Sequence, residues 1–208
     1  NNNNFYYNTI YIGGVSVQTG SDSYAFMSNA SANTKNIRNN IFFNNRTGPA
    51  YHSAIRLEGN GGVTVDYNDY YNSTGLIGRI GLAAPISLFN WQTAIGQDAN
   101  SLNLDPVFVN GSLDAVEYIP AAALPGIDGT GGITQDYGFN SRIVPVTMGA
   151  WENDCNGTVS DEPDDITQCE NLVATFTVEV TNVATPAYQW QVSTDNGATW
   201  TNLANDAT

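Results

Sequence analysis

Short runs of β-branched and aromatic residues, each bounded by Asn or Gly, recur along the first 75 residues and predict short strands. Three of these runs resemble one another: Asn8-Thr9-Ile10-Tyr11-Ile12, Asn39-Asn40-Ile41-Phe42-Phe43 and Tyr67-Asn68-Asp69-Tyr70-Tyr71. Aligning Ile10, Ile41 and Asp69 gives offsets of 31 and 28 residues. A recurrence of that length marks stacked units, each burying its apolar face against the next. Val15–Val17, Ser23–Met27, Ala54–Leu57 and Gly62–Asp66 supply further strands between the copies. Several strands per repeat are too dense for a helical solenoid and fit a coil of parallel strands, one turn per repeat. Asn8, Asn39, Asn40 and Asn68 at matching turns then either stack their amides along the axis or serve as turn formers tolerant of left-handed backbone.

The repeat dissolves after about residue 75, where Gly75, Gly78, Gly81 and Pro85 interrupt it. Leu88–Ile95 has the pattern of a short amphipathic helix, and residues 76–151 read as a cap over the open end of the stack. Beyond an acidic stretch, Leu172–Val180 and Tyr188–Val192 alternate like half-buried strands. Asp195-Asn196-Gly197 predicts a hairpin turn, and Thr199–Leu203 the returning strand.

Composition supports an all-β reading, since Asn, Gly, Thr and Tyr are mediocre or poor helix formers. The charge balance of 20 acidic against 6 basic residues, net −14 with Lys35 the single lysine, sets aside nucleic acid and anionic membrane surfaces as partners. No apolar run approaches the roughly 20 residues that cross a bilayer. The acidity is uneven: residues 152–208 carry ten carboxylates and no basic group, whereas residues 1–151 carry ten acidic and six basic ones. That break predicts two modules, residues 1–152 and 166–208, joined by an acidic link at 153–165. The link is read as a solvated spacer or, more sharply, as a calcium loop, though its spacing matches no twelve-residue calcium motif. Starting on Asn1-Asn2-Asn3-Asn4 and stopping on Asn205-Asp206-Ala207-Thr208, the chain is expected to be an interior piece of a longer protein.

Several phrases resemble the C-terminal part of right-handed parallel β-helix, pectate-lyase-like proteins, and more narrowly the large surface proteins that gliding bacteria export by type IX secretion. They are Tyr51-His52-Ser53-Ala54-Ile55-Arg56-Leu57, Asp66–Tyr71, Asp98–Leu102 with Asp105-Pro106-Val107-Phe108, and Asp136-Tyr137-Gly138 through Arg142 to Met148-Gly149-Ala150-Trp151-Glu152. The family's closing phrase, Asp-x-Asp-Gly-x-x-Arg, is met here by Asp136 and Arg142 but lacks its second Asp. The text from Tyr188 to Leu203 resembles the immunoglobulin-like repeats of the same proteins, which implies Trp190 as a core residue of an incomplete sandwich. The resemblance implies a secreted, extracellular, non-catalytic adhesin segment that binds a polysaccharide or another surface ligand, with the type IX machinery as a partner during export. Cys155 and Cys169 either pair with each other or, as in the related repeats, Cys169 bridges to a distant cysteine.

Two competing readings remain. One is a polysaccharide lyase or hydrolase with its active rungs upstream, for which Arg38, Arg56 and Asp66 are the candidate catalytic groups. The other is secretion cargo captured in a translocon. Within the chain, His52 and Arg56, four apart and so on one side of a strand, form the best local binding constellation. The alternative is an outward Arg56 paired with Glu58 or Asp66. Tyr70 and Tyr71 could stack on sugar rings, although half of the strand aromatics must point inward. No residue pattern calls for a cofactor or for zinc. The Asn-x-Ser/Thr triplets at Asn29, Asn45, Asn72, Asn110 and Asn156 are expected by chance in so Asn-rich a chain.

Overall fold

A computed structural model describes residues 2–29, 34–108, 118–153, 158–169, 172–181 and 188–204. They divide into two compact units, residues 1–153 and 154–208, and each is described by itself.

In the first unit nine strands build three parallel sheets. The chain visits the sheets in a fixed order three times: β1 (Asn2–Tyr6), β2 (Thr9–Ile12) and β3 (Ser23–Ser28), then β4 (Thr34–Arg38), β5 (Ile41–Asn44) and β6 (His52–Leu57), then β7 (Val63–Asp66), β8 (Asp69–Tyr71) and β9 (Gly78–Ile80). The sheets are therefore β1-β4-β7, β2-β5-β8 and β3-β6-β9, and each circuit adds one layer to all three.

Register departs by one residue from the repeat read in the sequence. Thr9 pairs with Ile41 and Ile41 with Asp69, so Asn8 corresponds to Asn40, and the first offset is 32 rather than 31. The reason lies at the corner before β2, β5 and β8. Tyr7, Asn39 and Tyr67 all take left-handed backbone there, at φ 55, 56 and 55°, and so mark one equivalent position that side-chain similarity hides. A one-residue slip would exchange the faces of the strand. In the observed register Ile10, Phe42 and Tyr70 share one face, whereas Tyr11, Phe43 and Tyr71 stack on the other with ring centroids 4.7 Å apart at both steps. Strands β1 and β4 carry no strand signal in the sequence because Asn and Lys are poor strand formers; pairing of β4 with the Val-rich β7, and of β1 with β4, overrides that preference. Val15 makes only an isolated bridge to Thr47.

Inside the stack, Ile37, Phe42, Ile55, Leu57, Val65, Tyr70 and Ile77 are excluded from water. Phe26, Phe42 and Tyr70 line up through the layers at 5.3 and 5.9 Å.

The expected cap over residues 76–151 has two parts with different jobs. Helix α1 (Leu88–Ile95) starts on Ser87, whose hydroxyl accepts from Asn90 N, and stops at Gly96 in left-handed backbone. Its buried Trp91 and Ile95 close the third layer. The exposed edges of that layer are then occupied one by one: Gln97 bonds the backbone of Val63 and Val65, Leu102 bonds that of Asn68 and Tyr70, and Ile86 pairs with Gly78. Residues 122–151 instead run along the flank of the lower layers. Gly126 N donates to Val146 O and Met148 N to Leu124 O within this segment, and Gly149 N donates to Asn39 O of the stack.

The second unit holds two antiparallel pairs, β10 (Thr158–Asp161) with β11 (Glu179–Thr181) and β12 (Gln191–Val192) with β13 (Thr201–Asn202). Paired strand is much shorter than the alternation at 172–180 and 199–203 predicts. Among the residues of these strands whose side chains are described, none is buried. Trp190, expected in a core, is 40% exposed and touches Phe176 at a centroid distance of 6.3 Å. The turn does form where predicted, with Asn196 and Gly197 both at positive φ and Asp195 accepting from Ser193 Oγ, Thr199 N and Thr199 Oγ1. Cys169 is an exposed free thiol, and Cys155 lies outside the described residues.

Candidate functional site

The asparagines at the corner separate into two roles. Asn8 Nδ2 donates to Asn40 Oδ1 at 2.8 Å, and Asn40 Nδ2 donates to Asn68 Oδ1 at 2.8 Å. Backbone N–H groups follow the same line, from Asn8 to Asn40 Oδ1 and from Asn40 to Asn68 Oδ1. Above Asn68, the hydroxyl of Ser101 accepts the next backbone N–H at 2.8 Å, standing in for a fourth asparagine. Asn39 does not belong to this ladder. Its amide leaves the stack to donate to Ile127 O and Thr130 Oγ1 while accepting from Ile127 N, and so it fastens the flanking segment. Asn72 is likewise consumed, donating to Asn44 O and His52 O, which removes its side chain from any modification in the folded state.

Where that segment meets the first layer, an open cleft of about 470 Å³ forms. Tyr6, Tyr7 and Ile10 of the stack face Tyr118, Ile133, Tyr137 and Trp151 across it. Tyr137 is 64% exposed and packs edge-on against Trp151, with centroids 5.4 Å apart. The charges beneath these rings are paired, although Arg142 Nε is buried without a hydrogen-bond partner. Arg142 lies 3.7 Å above the Tyr7 ring centroid, and its Nη1 bonds Glu152 Oε1 at 2.6 Å in an ion pair almost wholly buried. Asp136 accepts from Asn140 N, Asn140 Nδ2 and Glu152 N. Burial raises the pKa of Tyr7, with hydrogen bonds from Asn39 and Thr130 and the charge of Arg142 opposing it. The closing phrase from Asp136 to Glu152 is thus a clasp that holds an aromatic rim in place.

The residues singled out from the sequence are placed as follows. Arg38 and Asp66 are register partners on β4 and β7, but Asp66 spends its oxygens on Asn100 and the Tyr67 N–H. Arg56 belongs to a different sheet, where it ion-pairs with Glu58, donates to Gly81 O and lies over Tyr24. The three candidate catalytic groups are not brought together, and none of the cavities described here is lined by any of them. His52 and Arg56 lie four apart on β6, but His52 Nδ1 meets Ser23 Oγ at 2.8 Å and the guanidinium that influences it is that of Arg46. Tyr70 as a sugar platform is corrected, because it is fully buried behind Trp91 in the sealed third layer. Tyr71 remains half-exposed at the end of the outer ring stack. Among the described residues no three His, Cys, Asp or Glu side chains converge as metal ligands, and no helix is long and apolar enough to cross a membrane.

Sequence reasoning missed the cleft, since its walls come from residues 6–10 and 118–151. The signal available was the density of aromatics in the closing phrase. No family model matches the chain, and neither a curated protein nor a solved structure matches it.

Proposed function

We propose that the chain is a non-catalytic, saccharide-binding segment of a large secreted cell-surface protein. The observation that carries this reading is the cleft of Tyr6, Tyr118, Tyr137 and Trp151, which offers ring faces to a ligand while its Arg142 is ion-paired with Glu152 and its Asp136 accepts hydrogen bonds from Asn140 and the Glu152 N–H. Apolar and aromatic walls with few free polar groups suit a largely neutral ligand such as a sugar, whose C–H faces pack on rings. A catalytic role finds no comparable support, because Arg56 stands on a different sheet from Arg38 and Asp66, and the Asp66 oxygens are taken up by Asn100 and the Tyr67 N–H.

The finer fold reading belongs to the same proposal. Three visits to three sheets in a fixed order support a right-handed parallel β-helix, and the Tyr188–Leu203 hairpin supports an immunoglobulin-like module after it. The resemblance to surface proteins of gliding bacteria extends the reading to an adhesin displayed outside the cell after type IX secretion. The test is affinity electrophoresis of the chain in gels containing soluble β-glucan, xylan or dextran. Retardation by at least one of them that is lost in Tyr137→Ala supports the proposal, and migration unaffected by all three overturns it.

A further inference from the structure

Asparagine stands directly before glycine at Asn60, Asn110, Asn156 and Asn196. Asn110 and Asn156 lie outside the described residues, which leaves Asn60 and Asn196 to be compared. An asparagine in this position is open to attack on its own side chain, because the next backbone nitrogen can reach Cγ and glycine has no Cβ to hinder the approach. The fold must leave the side chain free to turn, the next N–H free of hydrogen bonds, and room for the ring that forms.

Asn60 meets all of these conditions. It lies in the Gly59-Asn60-Gly61-Gly62 connection between β6 and β7, where Asn60, Gly61 and Gly62 are exposed. Among the described residues neither its side chain nor the Gly61 N–H makes a hydrogen bond. A Cβ at Gly59 or Gly61 would meet nothing within 4 Å, so the space on both sides of Asn60 is open. Only the exit of the turn is fixed, by Val63 N donating to Asn60 O and Lys35 N to Gly62 O. Asn196 differs. Gly197 N donates to Ser193 Oγ at 2.8 Å, and Asp195 ties the same turn together by accepting from Ser193 Oγ, Thr199 N and Thr199 Oγ1.

We propose that Asn60 is a site of spontaneous deamidation in the folded protein, with water as the co-reactant, and that the fold shields Asn196 from the same reaction. Gly61 N bonds to Asn60 Cγ and gives up its proton, the Cγ–Nδ2 bond breaks, and Nδ2 leaves as ammonia. Water then adds to either carbonyl of the resulting succinimide and opens it to aspartate or to isoaspartate, with nothing oxidised or reduced. Both products replace a neutral amide with a carboxylate two residues from Glu58. The isoaspartyl product also lengthens the backbone by one methylene just before β7, the strand that pairs with β4 in the third layer. The proposal stands apart from the saccharide-binding reading and does not depend on it.

Chymotryptic cleavage after Leu57 and Tyr67 isolates Asn60 in one peptide, and cleavage after Trp190 and Trp200 isolates Asn196 in another. The experiment is incubation of the full chain in mildly alkaline heavy-oxygen water, digestion in ordinary water, and mass spectrometry of both peptides, so that only events in the intact protein carry the label. Labelled aspartate and isoaspartate are expected to accumulate at Asn60 about tenfold faster than at Asn196, the ratio set by one hydrogen bond on the Gly197 N–H. The difference closes in urea, where the turn around Asn196 is open. Asn60→Gln removes the label from its peptide. Gly61→Ala, which the open space accommodates with an unchanged melting temperature, slows the reaction at Asn60 about tenfold or more. Equal labelling of the two peptides in the folded chain overturns the proposal, as does an Asn60 peptide without label. A difference that persists in urea overturns it too, because its origin is then the neighbouring side chains and not the fold.

Discussion

The indole N–H of Trp91 donates to Asp98 Oδ2 at 2.7 Å, deep in the closing layer of the stack. The same carboxylate receives the Ser101 hydroxyl and is bonded to Tyr70, while Ser101 in turn ends the asparagine ladder on Asn68. One acid thereby joins the capping helix, the aromatic core and the polar spine. Burial, the largest influence, holds Asp98 at a pKa of about 6 against its hydrogen bonds, and desolvation takes Asp69 to about 7.

Both carboxyls bind their proton more tightly folded than unfolded. Their contribution is fully present below about pH 4 and is lost as pH rises through 6 and 7. Asp69→Asn mimics the protonated acid and is expected to flatten the fall in stability between pH 4 and 8, by on the order of 4 kcal/mol at the alkaline end. Urea midpoints of both proteins across that range measure it. An undiminished slope in the variant contradicts the assignment.

Asn40 is fully buried and its Nδ2 donates to Phe5 O, Arg38 O and Asn68 Oδ1. Truncation to Ala strands those acceptors, and the expected loss is about 2–3 kcal/mol in denaturant unfolding. Asn40→Asp is expected to lose more at neutral pH, since a carboxylate would face three oxygens.

Breaking the buried Arg142–Glu152 pair from either side leaves an uncompensated charge. Arg142→Gln is expected to cost about 3–5 kcal/mol, whereas replacing both partners costs less than the sum of the two single changes. A double-mutant cycle on thermal or urea unfolding reads this directly.

A Cβ at Gly78 would lie 2.4 Å from the Trp91 ring. Gly78→Ala therefore forces α1 off the third layer, at a cost of about 1–3 kcal/mol. Faster amide hydrogen exchange within Leu88–Ile95, exceeding that elsewhere in the stack, is the diagnostic readout.

Tyr137 projects from the cleft with little of its surface covered, so its removal separates binding from folding. Tyr137→Ala is expected to weaken binding to the retarding polysaccharide about tenfold, equivalent to about 1.4 kcal/mol, with thermal stability within about 0.5 kcal/mol of wild type. Affinity electrophoresis paired with a melting curve checks both halves.

Strand chemistry, the repeat and the helix at Leu88–Ile95 were legible in the chain because they rest on local pattern. Apolar alternation sets which side of a strand is buried, and the spacing of apolar residues over Leu88–Ile95 gives a helix one apolar face. The acidic bias beyond Glu152 was equally plain. Tertiary structure decided what periodicity cannot carry. The corner at Tyr7, Asn39 and Tyr67 shifts the ladder to Asn8, Asn40 and Asn68, and backbone conformation at one residue leaves no mark on composition. Whether Tyr70 or Tyr71 meets water and how Trp151 comes to line a cleft with Tyr6 depend on contacts between segments 28 to more than 100 residues apart. Such contacts form only once the stack exists, because burial and electrostatics act through space and not along the chain.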